Sequence, residues 1–518
     1  MDTIKLLAIM LVLVMVSACL NQPTRTNTSS SSSNSSLTTS PREYGDVNPP
    51  EIVGFNWTPT KIVWDKVYDI RVSFKVVDDE SIERVVLKFI PVEYEYFITK
   101  YGMRPEDYPK VFPPEKERVY ELKPVDGVFD EPIEEFSANI TNITGGAEYW
   151  IIIQVQTKNG RTREYKTKTA YIRQYENNAK KDNVIVMASY MPWYTGHFWI
   201  RDYDPRGYPL LGAYNVRDPI VIYKHADWAT GFGIDVFLMN WNEDDKASDE
   251  NARYILHILR NFEGAPEIGI LWGPHPNIMV SYEAGRYNMD MEYNWKEFLN
   301  EFEYLALNYM NNSLYFQFNG KSVVYLYDSK ALRGNIPKLM FECRENISQK
   351  YGIQLFLIGD EIGWLFTYPE EWFEIEGNDI ERLKSFDAIS DWAGSHDRSK
   401  KEYIEKYEKY LDALYREWSD FLRKEKIGFV PSVIPGFDEV YIYYKPYPPP
   451  IPKTPYFFKI RLKIALNYLD PDLKMIRIDT WNDFSEWSNV EPTREEGFIF
   501  LETLKEVLGE YMEKQEKD

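Results

Sequence analysis

The sequence is poor in cysteine and histidine. It contains two cysteines, Cys19 and Cys343, and five histidines among its 518 residues. Because only Cys343 lies in the main body of the chain, no disulfide or cysteine-based metal site can form there. We expect Cys343 to be a buried core thiol. The histidines are scattered without an H-x-x-x-H pattern, so we predict neither a catalytic metal nor a cofactor.

Positive charge is also scarce. The chain has 60 Lys and Arg residues against 81 Asp and Glu residues, which gives a formal net charge of −21 at pH 7. This balance argues against nucleic acid or an anionic membrane surface as the main partner. The chain is too long for one ordinary hydrophobic core, and its length predicts two or three domains.

The N-terminus has the layout of an export signal. "MDTIKLLAIMLVLVMVSACLNQ" places one lysine before a continuous apolar run that ends in Ser17, Ala18 and Cys19. Small residues directly before a cysteine resemble a lipoprotein signal, in which the Cys19 thiol is lipidated after cleavage. A plain membrane anchor is the alternative. Both interpretations place the rest of the chain on the extracellular face of the membrane.

Three further segments follow the predicted signal peptide, residues 1–19. Residues 20–47 are rich in Ser, Thr and Asn and predict a flexible tether. Residues 48–178 show short runs with apolar and polar residues in alternation, such as "AEYWIIIQVQT", and predict an immunoglobulin- or fibronectin-like β-sandwich.

From residue 183 to 518 short apolar runs alternate with amphipathic helical segments. Runs such as "VIVMASY", "IDVFLMNW" and "KMIRIDTW" give eight strand candidates in this region. Eight such alternations predict a (β/α)8 barrel. A doubly wound open sheet is the alternative, but no Gly-rich phosphate loop follows the first strand.

The predicted strand ends are acidic or aromatic throughout. In this barrel type the C-terminal ends of the strands form the active site, and acids among aromatic platforms suit glycoside chemistry. Asp328 and Asp438 follow the fourth and seventh strands. Our candidates for substrate binding are Tyr190, Trp193, Tyr194, Trp241, Asn242, Glu243, Trp272, His275, Asp360, Glu361, Asp391, Trp392, Trp481, Asn482 and Trp487.

The loop after the eighth strand, "TWNDFSEWSNVEPT", contains the carboxylates Asp483 and Glu486 three residues apart. The last helix has its own predicted capping box, formed by Thr493 and Glu496. The two carboxylates are therefore not required as caps. The alternative is that they form a solvated loop pair.

This stretch resembles the Trp-Asn-(Glu/Asp)-x-x-Glu…Glu-Pro signature of glycoside hydrolase family 99, the endo-α-mannosidases. It is also similar to the corresponding motif of the family 71 α-1,3-glucanases. "SYMPWY", "VVYLYDS" and "PSVIPGFDE" resemble other family 99 segments. The resemblance covers the predicted barrel and not the sandwich.

The resemblance implies that Glu486 is the general acid/base and that Asp483 matches the carboxylate that deprotonates the sugar 2-hydroxyl. Family 99 usually has Glu at this second position, so the shorter Asp483 could instead position a water molecule. "LWGPHPN" also departs from the His-Ile-Glu-Pro-type segment of the family after the third strand. Substrate contacts on that side are therefore expected to differ.

These observations predict an exported, monomeric, endo-acting glycosidase for α-linked mannosides or glucosides in oligo- or polysaccharides. Two other functions remain open from the sequence. One is a surface carbohydrate-binding protein that has lost activity, in which Asp483 and Glu486 would be expendable. The other is a cell-envelope glycan transferase, which would depend on a nucleotide-sugar and a divalent metal.

Overall fold

The computed structural model describes most of the sandwich and barrel. The described residues are 49–58, 68–78, 81–114, 116–180, 183–196, 199, 207–275, 282–283, 286–362, 377–392, 405–438 and 450–517. The predicted signal peptide, Cys19 and the predicted tether lie outside these residues. Within them, no helix combines the length and the apolar content needed to cross a bilayer.

Two antiparallel sheets form the N-terminal part. Their strands are β1 (Glu51–Thr58), β2 (Tyr68–Val77), β3 (Ile82–Pro91), β4 (Arg118–Leu122), β5 (Ile133–Ile143), β6 (Tyr149–Thr157) and β7 (Thr162–Lys168). The strand orders are β1-β2-β5 and β4-β3-β6-β7. Two short helices, α1 (Tyr96–Tyr101) and α2 (Tyr108–Val111), connect β3 to β4.

Period-two alternation sets the core of these sheets. Along β6 every second residue is buried, from Tyr149 through Ile151 and Ile153 to Val155. Because successive side chains of a strand point to opposite faces, a slip of one residue would expose this whole row. This arrangement confirms the predicted sandwich.

Parallel strands form a closed barrel in the C-terminal part. Its strands are β8 (Ile185–Tyr190), β9 (Val236–Trp241), β10 (Glu267–Trp272), β14 (Lys321–Leu326), β16 (Leu355–Ile362), β17 (Ala388–Asp391), β18 (Gly428–Val430), β19 (Ser432–Val433) and β20 (Met475–Ile478). Shorter strands are β11 (Tyr282–Glu283), β12 (Arg286–Asn288), β13 (Gln317–Phe318) and β15 (Leu332–Arg333).

One barrel strand is interrupted by a proline. Pro431 separates β18, which pairs with β17, from β19, which pairs with β20. Pro431 has no N–H to donate, but its carbonyl accepts a hydrogen bond of 3.0 Å from the Arg477 backbone N–H. The two pieces therefore act as the seventh strand, and β20 closes the barrel by pairing with β8. The predicted (β/α)8 barrel is confirmed.

The barrel helices begin at polar caps that follow from the sequence. Asp218 and Asn335 accept hydrogen bonds from backbone N–H groups in the first turns of their helices. Thr493 does not cap the last helix as predicted: the Glu496 N–H donates to its hydroxyl at 3.0 Å in a separate turn, and the helix begins at Ile499. The helices are α3 (Pro219–Gly231), α4 (Lys246–Leu259), α5 (Glu292–Leu305), α6 (Ile336–Tyr351), α7 (Gly377–Leu383), α8 (Tyr407–Glu425), α9 (Pro455–Asn467) and α10 (Ile499–Gln515).

Buried polar contacts join the sandwich to helix α3. The Asp227 carboxylate accepts hydrogen bonds from the backbone N–H groups of Gln174 and Tyr175, at 2.6 and 3.1 Å, and from the Tyr171 hydroxyl. Asp227 is fully buried, so these donors replace the water that it would otherwise bind. The connection between the two parts is thus ordered and packed against the barrel.

Candidate active site

The loop after β20, residues 480–491, is fixed to the first barrel strand and to the segment that follows it. The Trp481 backbone N–H donates to the Ser189 carbonyl at 2.7 Å, and the Phe484 N–H donates to the Tyr194 hydroxyl at 3.0 Å. Backbone hydrogen bonds also join the start of the loop to its end. The loop lies at the C-terminal end of the barrel, where active sites of this fold are built.

Asp483 lies in this loop and is buried, with 5% of its surface exposed. Its Oδ1 accepts hydrogen bonds from the Ser485 backbone N–H, the Ser485 hydroxyl and the Glu486 N–H, at 3.0, 2.5 and 3.2 Å. An ionised carboxylate can accept all three. Oδ1 thus holds a tight turn, and the carboxyl keeps a fixed orientation beside Glu486.

Glu486 lies on the same loop and is half-buried. Its carbonyl accepts a hydrogen bond of 2.8 Å from the Asp438 backbone N–H. Burial raises the pKa of the Tyr327 hydroxyl well above its usual range, and the nearby charge of Glu486 raises it further. The Tyr327 ring in turn meets Trp392 edge-on, with centroids 5.0 Å apart. Glu486 therefore has a tyrosine and an aromatic wall opposite it.

Ion pairs occupy the ends of β14 and β16. The buried Asp360 carboxylate accepts hydrogen bonds from the Asp328 backbone N–H and the Lys330 ammonium, at 3.0 and 3.2 Å. Glu361 is held by two hydrogen bonds from the Arg382 guanidinium, at 2.7 and 2.9 Å. We predicted Asp360 and Glu361 to bind substrate, and the structure instead places both carboxylates in ion pairs.

Asp328 is the titratable carboxyl of this cluster. Burial raises its pKa to about 7; Lys330 opposes this shift, and the neighbouring carboxylates Asp360 and Glu361 add to it. The residue has a left-handed backbone conformation with φ of +49°. Near neutral pH its side chain can therefore exchange a proton at the barrel mouth.

Buried charges fill the barrel interior below the mouth. The Arg477 guanidinium pairs with Asp479 at 2.8 Å, and both side chains are fully buried. Asp391 accepts hydrogen bonds from the hydroxyls of Tyr415 and Ser432, each at about 3.0 Å. Burial raises the pKa of Asp391 to about 6 and that of Asp479 to about 7. Asp391 is thus an interior residue, and our prediction that it binds substrate is wrong.

Several predicted sugar platforms belong to the core. A ring that is only 0–2% exposed has no free face on which a sugar could stack. The indole of Trp241 donates to Asp249 at 2.8 Å, and that of Trp272 donates to Glu301 at 2.5 Å. The predicted platforms corrected in this way are Tyr190, Tyr194, Trp241, Trp272 and Trp481.

Two predicted asparagine contacts are structural. The fully buried Asn482 side chain accepts from the Met191 backbone N–H and donates to the Met191 carbonyl, at 2.7 and 3.0 Å. The Asn242 side chain accepts from the Asp245 N–H at 3.0 Å and forms a turn before α4. The buried Asn482 amide is thus occupied by the backbone, which corrects its prediction, whereas substrate binding by the partly exposed Asn242 stays a prediction.

The remaining predicted residues range from buried to exposed. Trp193 and Trp487 are half-buried, Trp392 is 9% exposed, and Glu243 is exposed. His275 forms an ion pair of 2.6 Å with Asp244, across the loops after β9 and β10. Trp193 and Trp487 therefore stay candidates for stacking on a sugar ring.

A buried network behind the β20 loop was not predicted from the sequence. Glu491 Oε2 accepts from the Tyr214 hydroxyl at 2.7 Å, and Oε1 lies 3.2 Å from His225 Nε2. His225 Nδ1 also contacts the Tyr190 hydroxyl at 2.9 Å. The only sequence signal was the Glu-Pro end of the quoted signature, because Tyr214 and His225 stand in segments without a motif.

The donor set does not point to a metal. Among the described residues no group of three His, Cys, Asp or Glu side chains is placed to hold an ion. Asp202 and Asp204, which form a D-x-D arrangement in the sequence, lie outside those residues.

Comparison with known proteins gives the fold. A solved structure of a glycoside hydrolase-like protein matches with TM-score 0.51 and 17% identity, over 65% of this chain and 97% of that one. The family 99 endo-alpha-mannosidase from Bacteroides thetaiotaomicron matches with TM-score 0.47 and 15% identity, over 64% and 98%. At these identities the first match establishes a shared fold alone, and the second supports no further argument. No protein family model and no curated protein matches the sequence.

Proposed function

We propose that the protein is a glycoside hydrolase that cleaves α-linked mannosides or glucosides within oligo- or polysaccharides. The observation that carries this proposal is the placement of Asp483 and Glu486 together on the β20 loop at the barrel mouth. Two neighbouring carboxyl groups are what glycoside hydrolysis requires, one as acid and one as base or nucleophile-activating group. The partly exposed Trp193 and Trp487 supply aromatic surface for the sugar rings.

We assign different roles to the carboxyl groups of Glu486 and Asp483. Glu486 protonates the glycosidic oxygen, since its side chain is half-buried and its charge acts on Tyr327 after β14. Asp483 acts as the base, because the three donors on its Oδ1 suit a charged carboxylate. Asp483 would take its proton either from the sugar 2-hydroxyl or from a water molecule. The anomeric form of the first product separates these routes, since the second route inverts the configuration.

The test is reducing-sugar release from α-mannans, α-glucans and N-glycan-type oligosaccharides. Glu486→Gln and Asp483→Asn should each abolish release while the protein stays folded. Asp472→Asn is the matched control, because this exposed carboxylate precedes β20 and lies at the opposite end of the barrel. Release that survives both active-site substitutions would contradict the assignment of the pair.

The length of the first products tests endo action. Oligosaccharides as the initial products indicate cleavage within the chain, whereas accumulation of a single monosaccharide contradicts it. If no substrate is cleaved but all variants bind glycan, the carbohydrate-binding alternative is favoured. A requirement for a nucleotide-sugar and a divalent metal would favour the transferase.

We also propose that the protein is exported and tethered to the outer face of the membrane by lipid on Cys19. The support is the sequence of residues 1–19 and the Ser/Thr-rich segment after it. Labelling with a radioactive fatty acid should mark the wild type and not Cys19→Ser. Protease added to intact cells should degrade the wild type. A protein that is protected from protease would contradict export.

A further inference from the structure

Helix α1 of the sandwich contacts a barrel segment, residues 207–218, which is the last part of the connection between β8 and α3 and is called the junction loop below. The Ala213 backbone N–H donates to the carbonyl of Tyr101, the last residue of α1, at 2.7 Å. Gly212 has a left-handed conformation with φ of +81°, and a Cβ atom there would lie 2.3 Å from the same carbonyl oxygen. The close approach of sandwich and barrel at this point therefore requires glycine.

Two tyrosines of α1 hold the end of the junction loop. The hydroxyls of Tyr96 and Tyr101 both donate to Asp218 Oδ2, at 2.8 and 3.1 Å. Asp218 Oδ1 accepts from the Ile220 backbone N–H at 3.0 Å and so caps α3. One oxygen of Asp218 is thus bound by the sandwich and the other by a barrel helix. The end of the junction loop cannot shift without breaking these bonds.

The junction loop also runs beside the end of the β20 loop. The backbone N–H groups of Leu210 and Arg494 donate across this pair of segments, each at 2.9 Å. The Tyr214 hydroxyl adds its bond to the buried Glu491 carboxylate. Backbone and side-chain bonds therefore fix the two segments to each other.

Arg494 joins the same region to α1 directly. Its guanidinium donates to the carbonyl of Gly102, the residue after α1, and lies 3.7 Å from the centre of the Tyr208 ring. Helix α1, the junction loop and the residues that follow the β20 loop therefore form one continuous contact.

Gly207, at the start of the junction loop, lies beside residues near Glu486. A Cβ atom at Gly207 would meet Trp487 Cδ1 at 3.6 Å and Phe484 Cδ1 at 3.8 Å. Trp487 directly follows Glu486 in the chain. The junction loop thus packs against the part of the β20 loop that carries the candidate acid.

We propose that helix α1 of the sandwich is a positioning element of the candidate active site, which fixes Asp483 and Glu486 through the junction loop. The sandwich is then needed for activity and is more than a spacer. Catalytic groups have to be held within about 0.5 Å, and a misplacement of about 1 Å can cost about 10²-fold in rate. The inference rests on the proposed function for the chemistry of the β20 loop, whereas the mechanical coupling of α1 to this loop does not.

The experiment is hydrogen exchange on the full chain, measured at the β20 loop, residues 480–491. Tyr96→Phe combined with Tyr101→Phe removes both hydroxyls from Asp218 and keeps both aromatic rings. We expect exchange at residues 480–491 to become about tenfold faster, the effect of about one lost hydrogen bond on a local opening equilibrium. The single variant Tyr101→Phe, which keeps one hydroxyl on Asp218, provides the measurement if the double variant does not fold.

The matched control is Tyr94→Phe combined with Tyr108→Phe. These hydroxyls bond within the sandwich: that of Tyr94 donates to Glu148 at 3.0 Å, and that of Tyr108 accepts from the Tyr94 backbone N–H at 3.1 Å. The control therefore also loses two tyrosine hydroxyls of the sandwich, without touching the junction loop. Its exchange at residues 480–491 should equal that of the wild type.

Steady-state kinetics on a cleaved glycan give the second readout. The variant of Tyr96 and Tyr101 should lower kcat about tenfold and leave KM within about twofold, whereas the control should keep both constants. Equal exchange at residues 480–491 in the two double variants, or a kcat that stays at the wild-type value, would overturn the proposal. The exchange measurement needs no substrate, so the coupling and the proposed function can fail independently.

Discussion

Tyr214 and Glu491 form a hydrogen bond of 2.7 Å between two side chains that are at most 1% exposed. Glu491 ends the loop that carries Asp483 and Glu486, and Tyr214 belongs to the segment between β8 and α3. A buried carboxyl that loses a donor retains its desolvation penalty. This bond therefore couples the stability of the barrel to the position of the candidate catalytic loop.

Tyr214→Phe should lower the free energy of unfolding by about 1–3 kcal/mol, the usual penalty for an unsatisfied buried group. Thermal unfolding measures this loss. Tyr254→Phe is the control, because it removes the hydroxyl of a tyrosine that is partly exposed on α4. Equal unfolding temperatures for the two variants would contradict a structural role for the Tyr214 hydroxyl.

Asp483 should have a chemical role that is separable from its role in the turn. Asp483→Asn keeps an Oδ1 acceptor for Ser485 and Glu486, so the loop should stay folded. The loss of the charge should lower kcat by about 10²–10⁴-fold. Asp483→Ala removes the acceptor as well and should also lower the unfolding temperature. Steady-state kinetics and thermal unfolding of both variants make the comparison, and an Asn variant with wild-type kcat would refute the chemical role.

Lys224, fully buried where the sandwich meets α3, should make stability depend on pH. Its Nζ donates to the Val111 carbonyl and lies 4.8 Å from the centre of the Phe112 ring. Burial lowers the pKa of Lys224 from 10.5 to about 7, against the opposing attraction of Asp227. Between pH 7 and 10.5 the unfolded chain holds a proton that the folded chain has released. Folding is therefore favoured more as the pH rises through this range.

Lys224→Met removes this titration. The difference in unfolding temperature between wild type and variant should shift in favour of the wild type from pH 7 to pH 10. Other lysines titrate in both proteins and cancel in the difference. The same substitution at the exposed Lys158 gives the baseline. A difference that stays constant across the range would contradict the inferred burial of a neutral amine.

The order of strands and helices could be predicted from the sequence because the hydrophobic period differs between them. Buried parallel strands such as β9 are continuous apolar runs, whereas β6 alternates, and these patterns are local. Strand ends could be located for the same reason. The interruption of the seventh strand at Pro431 was not predicted. It can be recognised only when the pairing partners on either side, β17 and β20, are known.

The candidate site was predicted less completely, because exposure is not a local property. Trp272 ends β10 and Trp193 follows β8, but only the structure shows that the first is fully buried and the second half-buried. Likewise, the sequence position of Asp391 is that of a site residue, and only the structure shows that its carboxyl accepts hydrogen bonds from Tyr415 and Ser432. Tyr214 and His225 reach Glu491 from distant positions, so no spacing could have revealed that network.

Asp328 should destabilise the folded protein above neutral pH, and its neutral isostere should remove the effect. The folded pKa is about 7 against 3.8 in the unfolded chain, chiefly because of burial. As the pH rises from about 4 to 7, the unfolded chain releases a proton that the folded chain retains, so stability falls; above pH 7 the penalty is constant. Asp328→Asn mimics the protonated form, and asparagine tolerates the left-handed conformation at this position.

The variant should therefore match the wild type at pH 4 and unfold about 4 °C higher at pH 8, because about three pKa units correspond to about 4 kcal/mol, and each kcal/mol shifts the unfolding temperature of a chain of this length by about 1 °C. Differential scanning calorimetry at pH 4, 6 and 8 measures the difference in unfolding temperature between the variant and the wild type. The control is Asp472→Asn, which makes the same substitution at an exposed carboxylate. If the difference in unfolding temperature between Asp328→Asn and the wild type is the same at pH 4 and pH 8, lost contacts rather than a buried proton determine that difference. A difference in unfolding temperature that grows as the pH rises identifies Asp328 as a carboxyl that is protonated at the barrel mouth under mildly acidic conditions.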